Sequence, residues 1–264
     1  MSLIFKVESA EPVSVQDYLR LNCGVSRRLI QKLKHREGGL TCNGEHIRTV
    51  DMVSSGDILA LNCEDENAIE PNPALCADIV YEDEHFVLFN KPAGMPVHPS
   101  IRHRDDTLAN LFAHLYPGLT FRSVNRLDKD TSGLCLVAKD PHAANVLQGS
   151  CKKVYYAAVQ GETAPSGTID APIARERESI IIRCVREDGK RAVTHYRTIR
   201  RSEKYSLVEI DLETGRTHQI RVHFAHIGHP LAGDDLYGGS LNHIPRQALH
   251  CGKMTVKMPD TGEL

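Results

Sequence analysis

No apolar run in the chain approaches the roughly 18 residues that span a bilayer as a helix, and no C-x-x-C pair, internal repeat or low-complexity tract is present. The first absence excludes a helical membrane span. The opening MSLIFKVESAEP also lacks the basic-then-apolar order of a signal peptide. The second absence excludes zinc-ribbon spacing: the eight cysteines are scattered, none closer together than Cys63 and Cys76. Thiols placed this way in a chain of this size read as reduced and partly buried, so a cytoplasmic protein is expected. A net excess of positive charge is missing too. With a net charge of −2, any nucleic-acid contact must come from local patches. What is present is ordinary globular material: 264 residues, 41% hydrophobic and 25% charged. That suits one large domain, or a small one beside a medium one. It excludes a disordered tail, a collagen and a coiled-coil rod.

The chain divides in two. Residues 63–78 carry acids and two prolines but no base, and read as a linker between a small module at 1–62 and a larger domain at 79–264. In the small module Ser14 can cap a short helix through Arg20. Ser26 can cap RRLIQKLKHRE, which Gly38 and Gly39 end. Leu29, Ile30 and Leu33 share one face of that second helix. Between Arg20 and Arg36 lie Arg20, Arg27, Arg28, Lys32, Lys34 and Arg36 and no acid. A solvated helix face is the plain explanation. Phosphate contact by Arg27, Arg28 and Lys32 is the functional one, favoured because the module is acidic elsewhere. Strands LTC and EHIR flank an Asn43–Gly44 turn, and DILAL closes the module at Leu61; the first few residues are assigned no element. The order of helices and strands from residue 14 to about 62 resembles the S4 RNA-binding module.

In the larger domain DIVYED-EHFVLFNKP reads as a hairpin. TLANLFAHL is an amphipathic helix through Leu108, Leu111, Phe112 and Leu115. Asp140–Pro141 starts a helix after the strand GLCLVAKD. VYYAAVQG, SIIIRCV, AVTHYRTI and YSLVEIDLE are strand-like. Thr217 can cap the helix HQIRVHFAHI, which stops at Gly228. Many hairpins and few β-α-β units predict an α+β protein whose sheet is mixed, mainly antiparallel and flanked by helices.

Three segments could carry chemistry. VNRLDKDTSGL (124–134) crowds Arg126, Asp128, Lys129 and Asp130 around an apolar Leu127. It is a polar turn or, if Leu127 draws it inward, a half-buried charged loop of the kind found at active sites. TGRTHQIRVH (214–223) places Arg216 near a helix start, where the dipole opposes a cation unless an anion such as phosphate is close; an ordinary surface arginine is the alternative. NKPAGMPVH (90–98) is a tight loop whose Lys91 and His98 would be solvated if it is mere punctuation.

Together these segments resemble the RluA-type pseudouridine synthases. RLDKDTSGL matches the signature loop of that family. NKPAGMPVHPS, KVYYAAVQG, GRTHQIRVHFAHIGHPLAGDDLYG and RQALH match its other motifs in the same order, over roughly residues 80–260. The resemblance implies isomerisation of a uridine in RNA to pseudouridine, without cofactor or metal. It implies Asp128 as the catalytic carboxylate, Arg221 as its ion-pair partner, Tyr155 as a residue that stacks on the uracil, and Arg126 as a residue that holds RNA with the target base extruded. Arg216 joins the substrate-binding set. With the S4-like module, it implies ribosomal RNA, large-subunit RNA before transfer RNA, as the partner; a monomer is the default expectation. Two departures stand out. Asn125 occupies the place of the usual histidine, so that position cannot titrate. The pattern of relatives also implies a further stretch after MPDTGEL.

The reaction breaks N1–C1′ and joins C5 to C1′. One ionised carboxylate serves it, either by attacking C1′ or by taking a proton from C2′. Glycosidases need two carboxyl groups on opposite sides of the bond, and Asp130, two residues from Asp128, is poorly placed for that. The resemblance pairs Arg221 with Asp128, and a nearby guanidinium favours the charged carboxylate, so a short Asp128–Arg221 contact is expected. Two rival readings remain. His218, His223, His226 and His229, with Asp234 and Asp235, could bind a metal, although the H-E-x-x-H base is missing. A non-enzymatic RNA-binding protein would explain the basic helix but not the coincidence of Asp128, Tyr155 and Arg221.

Overall fold

The computed structural model describes residues 2–63, 69–177 and 181–264. The first stretch holds β1 (Ser2–Lys6), β2 (Val13–Ser14), α1 (Val15–Leu21), α2 (Arg27–Leu33), β3 (Leu40–Cys42), β4 (Glu45–His46), β5 (Met52–Val53) and β6 (Ile58–Asn62). Ser14 and Ser26 cap the two helices, accepting from Asp17 N and Leu29 N. α2 ends at Leu33, earlier than its sequence suggests, and the basic run continues through turns to Gly38, which takes φ +66°. The opening residues form an edge strand: β1 pairs antiparallel with β6, giving the order β1-β6-β3-β4. Val15, Leu19, Ile30, Leu33, Leu40, Leu59 and Leu61 pack into a core of their own.

The larger part holds β7 (Asp78–Glu82), β8 (Phe86–Lys91), α3 (Leu108–Leu115), β9 (Arg122–Ser123), β10 (Ser132–Ala138), α4 (Pro141–Ser150), β11 (Lys152–Gln160), β12 (Ser166–Asp170), β13 (Ile173–Arg175), β14 (Arg183–Val185), β15 (Val193–Arg201), β16 (Tyr205–Leu212), α5 (Gln219–His226) and, after a 3-10 turn at Asp235–Tyr237, β17 (Leu249–Thr255). Part of the expected strand SIIIRCV lies outside the described residues; of the rest, Ile181 and Ile182 precede the strand and Arg183–Val185 form β14. Among the described strands one sheet runs β12-β15-β16-β11-β17-β10-β8-β7, with β9 on β10. Every pairing in it is antiparallel except β10 with β17. The α+β architecture with a mixed, mainly antiparallel sheet is therefore the one observed.

The parallel pairing explains Gly133. Its φ is +109°, and a Cβ there would strike the backbone of Cys251 on β17. Alternation along β8, β10 and β11 buries Phe89, Cys135, Val137, Ala157 and Val159 against α3 and α5 residues Leu108, Phe112 and Phe224. Residues after the undescribed 64–68 do not hang free. Ile69, Leu75 and Ala77 pack on this core, and Asn72 N donates to Asn110 O on α3. No helix among the described residues is long and apolar enough to cross a membrane, and all eight cysteines are free.

Candidate active site

The loop before β10 is shaped by burying Leu127, the apolar residue among its charges. Leu127 is in the core, which leaves Arg126 exposed and the Asp128 side chain 29% exposed. Several groups fix this loop. Asn125 is buried; its Nδ2 donates to Leu134 O at 3.1 Å and its Oδ1 accepts from Leu136 N at 2.9 Å. An amide suffices for that backbone-mimicking task, which accounts for asparagine here. Lys91 is not solvated, contrary to the plain reading of its loop. It is fully buried, and Nζ donates to Pro92 O, Met95 O and Lys129 O at 2.8, 2.7 and 3.0 Å. Burial lowers its pKa to about 8, opposed by Cys135, Asp130 and Asp128. Arg246 Nη1 donates to Asp130 O and Gln247 Nε2 to Thr131 Oγ1, so the late RQALH segment braces the loop from the other side.

The second wall is α5. Thr217 does not cap it. The helix begins after His218, which takes the left-handed φ of 57° and makes no side-chain cap. Gln219 does the local bonding instead: Oε1 accepts from Arg216 N and Thr214 Oγ1, and Nε2 donates to Val193 O and Thr194 Oγ1. One turn in, Arg221 is buried and points its fork at Asp234, with Nε and Nη2 each 2.7 Å from a carboxylate oxygen. Its remaining arm, Nη1, reaches Asp128 Oδ2 at 3.2 Å. The expected contact across 93 residues of sequence is present. Burial opposes the charge on Arg221, but the bonds and charge of Asp234, then Asp128, outweigh it and raise the pKa above the usual arginine value. The Tyr237 ring lies 5.0 Å from Arg221 Cζ, a cation–π distance. The Tyr237 hydroxyl is 2.7 Å from His218 Nδ1, and His218 Nε2 is 3.8 Å from Asp128 Oδ2. Burial and the charges of Arg221 and Arg183 lower the His218 pKa, against the pull of Asp128.

These walls enclose a cleft of about 1010 Å³ lined by Arg126, Asp128, Tyr155, Arg216, His218 and Arg221, with Lys152 and Lys153. Asp128, Tyr155, Arg221, Arg126 and Arg216 thus come together. Arg27, Arg28 and Lys32 do not; they lie exposed on α2. Asp130 does not line the cleft, which leaves Asp128 without a paired carboxyl from its own loop. Tyr155 is buried on β11, and desolvation pushes its pKa well above the usual tyrosine value. A neutral phenol in that position can stack on a base but cannot readily take its proton. Arg216 Nε donates to Arg191 O, so backbone bonding holds it.

The histidine cluster does not converge on a metal. His223 bonds Thr194 Oγ1 and Ala171 O, His229 bonds Gln160 O, and Asp234 is taken by Arg221. Sequence reasoning treated Asp234 and His218 only as metal candidates and missed Lys91. For Asp234 the usable signal was the buried arginine itself, whose two remaining donors require an acceptor.

Residues 85–226 match the family model described as RNA pseudouridylate synthase. The chain belongs to this family. An uncharacterized RNA pseudouridine synthase of Bacillus subtilis is 41% identical over 255 residues, 91% of this chain and 89% of the relative. A ribosomal large subunit pseudouridine synthase D of Pseudomonas aeruginosa is 41% identical over 251 residues, covering 86% and 78%. Among solved structures, human RNA pseudouridylate synthase domain containing 1 superposes with a TM-score of 0.62 at 28% identity, over 73% of this chain and 83% of that one. The RluA-type resemblance of the motifs is therefore upheld. The protein is an RNA pseudouridine synthase, an isomerase that converts uridine in RNA to pseudouridine. The purely RNA-binding reading falls.

Proposed function

We propose that Asp128 is the single catalytic carboxylate, that the reaction uses no cofactor, and that the substrate is a uridine of ribosomal RNA, in the large subunit before transfer RNA. The observation that carries the reading is the division of labour at Arg221. Two of its arms are fixed by the buried Asp234, so the third presents a rigid donor to Asp128 Oδ2. Asp128 is thereby aimed into the cleft, and its other oxygen has no hydrogen bond among the described residues. That oxygen meets the ribose at C1′ or C2′ as the N1–C1′ bond opens. Tyr155 holds the freed uracil by stacking while it turns to present C5, and Arg126 and Arg216 hold the flanking backbone. Charge-assisted forks fix direction as well as energy, and a reacting group held in place is worth far more than the same group free.

The N-terminal residues 1–62 act as an S4-type RNA-binding unit joined by the acidic 63–78 segment, with Arg27, Arg28 and Lys32 on phosphates. Exposed cations on one face of a helix support this role. Several relatives carry the description ribosomal large subunit pseudouridine synthase D, which supports the choice of RNA. The enzyme works as a cytoplasmic monomer. Pseudouridine mapping of total RNA from cells lacking the gene tests the reading. One large-subunit site should vanish, return with the wild-type gene and stay absent with Asp128→Asn. A missing transfer RNA site would instead refute the choice of substrate.

A further inference from the structure

Among the described residues, five buried side-chain polar atoms have no hydrogen-bond partner: Asp83 Oδ2, His85 Nε2, Asp106 Oδ1, Asp140 Oδ2 and His142 Nδ1. All but Asp106 belong to the turn between β7 and β8 or to the start of α4, which meet at one corner of the large domain and share no residue with the cleft. Unmet buried polar atoms are rare because each forfeits its hydration, and a concentration of them calls for a cause.

The donor set there is that of a metal site. His85 Nε2 stands 3.6 Å from Glu84 Oε1, too far for a hydrogen bond. The ligand atoms of Glu84, His85 and Asp260 all lie within 4.8 Å of one another. Two donors on one tetrahedral zinc ion, at bond lengths of about 2.0–2.2 Å, sit about 3.3–3.6 Å apart. Glu84 and His85 already have that spacing. Asp260 is exposed on the C-terminal segment and within that 4.8 Å of both; its Oδ1 accepts only from the adjacent Thr261 N, at 2.8 Å. No lysine or arginine pairs with Glu84 or Asp260 among the described residues; the nearby Lys139 takes Glu82 instead, at 2.7 Å.

A second observation points the same way. The Asp140 side chain is 1% exposed. Its Oδ1 caps α4 by accepting from Ala143 N at 2.8 Å, and its unpartnered Oδ2 faces His85 Nδ1 at 3.8 Å. A carboxylate behind the free nitrogen of a histidine is the arrangement that orients imidazole ligands on metals.

We propose that Glu84, His85 and Asp260 bind a divalent ion of the zinc class through one imidazole nitrogen and two carboxylate oxygens, with Asp140 as the positioning residue behind His85. The ion is structural. It fastens the C-terminal segment to the β7–β8 turn beside α4, the helix on which the N-terminal unit rests through Asn145 Nδ2 to Gly24 O at 2.7 Å and the His142–Phe5 ring contact. The full-length protein, stripped with a chelator, is titrated calorimetrically with zinc chloride and, separately, with cobalt chloride followed by visible absorption. A single equivalent should bind, and the cobalt spectrum should lack a sulfur charge-transfer band. Glu84→Gln and Asp260→Asn, both at exposed positions, should each weaken zinc at least tenfold. Asp140→Asn keeps a good cap and should weaken it by about tenfold. Zinc, unlike magnesium, should protect residues 256–264 from limited proteolysis. The proposal is overturned by no heat of binding, by a thiolate band, or by unchanged affinity in the Glu84→Gln/Asp260→Asn double variant with wild-type circular dichroism.

Discussion

The two parts of this enzyme hold their cations in opposite ways. On α2, Arg27, Arg28 and Lys32 are exposed, and no carboxylate among the described residues pairs with them. In the cleft, Arg221 is buried with an 8% exposed side chain and spans two carboxylates. An exposed, unpaired cation is a contact waiting for phosphate, and its contribution is screened by salt. A buried fork is already committed, and what it contributes is direction. On the proposed reading one region supplies affinity and the other rate, and the two should separate cleanly under mutation.

The largest separation should come from Arg221→Lys. Charge is kept but the planar fork is lost, so Asp234 and Asp128 can no longer be served together. Single-turnover pseudouridine formation should fall by about 100-fold, the order expected when a reacting group shifts by an ångström, while the dissociation constant for RNA stays within about threefold. Equal loss of rate and affinity would break the comparison. The converse experiment replaces Arg27, Arg28 and Lys32 by Gln. The slope of log affinity against log salt should shrink by about 3, one for each lost phosphate contact. The saturated rate should be unchanged.

Much of this was readable in the residues alone, and the reason is local. Ser14, Ser26 and Asp140 cap the helices their positions suggest, because a cap depends on four consecutive residues. Alternation placed β8, β10 and β11. The motif resemblance supplied the Asp128–Arg221 contact. What escaped depends on packing between distant segments. The burial of Lys91 follows from three carbonyls converging from two loops. The role of Asp234 follows from α5 lying against the 3-10 turn. Thr217 looked like a cap because a polar residue preceded an apolar run, but the left-handed His218 moved the helix start by one position. β17 slots between β10 and β11 with one parallel edge, which no periodicity announces. Glu84, His85 and Asp260 come from opposite ends of the large domain and carry no spacing signal.

The smallest expected effect sharpens the comparison through pH. His218 and His223 have folded pKa values lowered below the ordinary 6.5, first by burial. Above that value both are neutral in either state and contribute nothing. As pH falls below 6.5 the unfolded chain takes protons that the folded one refuses, so stability falls. Each such group contributes at most about 1.4 kcal/mol per pH unit. Urea unfolding of His223→Gln should lose less stability between neutral and mildly acidic pH than the wild type. No histidine lies on α2, so the Arg27/Arg28/Lys32 variant should track the wild type.

The account stands most directly on Asp128. With purified enzyme and its RNA under single-turnover conditions, Asp128→Asn should form no pseudouridine, a loss of at least about 10³-fold, while binding RNA as tightly as the wild type. Pseudouridine formed at a comparable rate by that variant would contradict the assignment of the chemistry to this carboxylate.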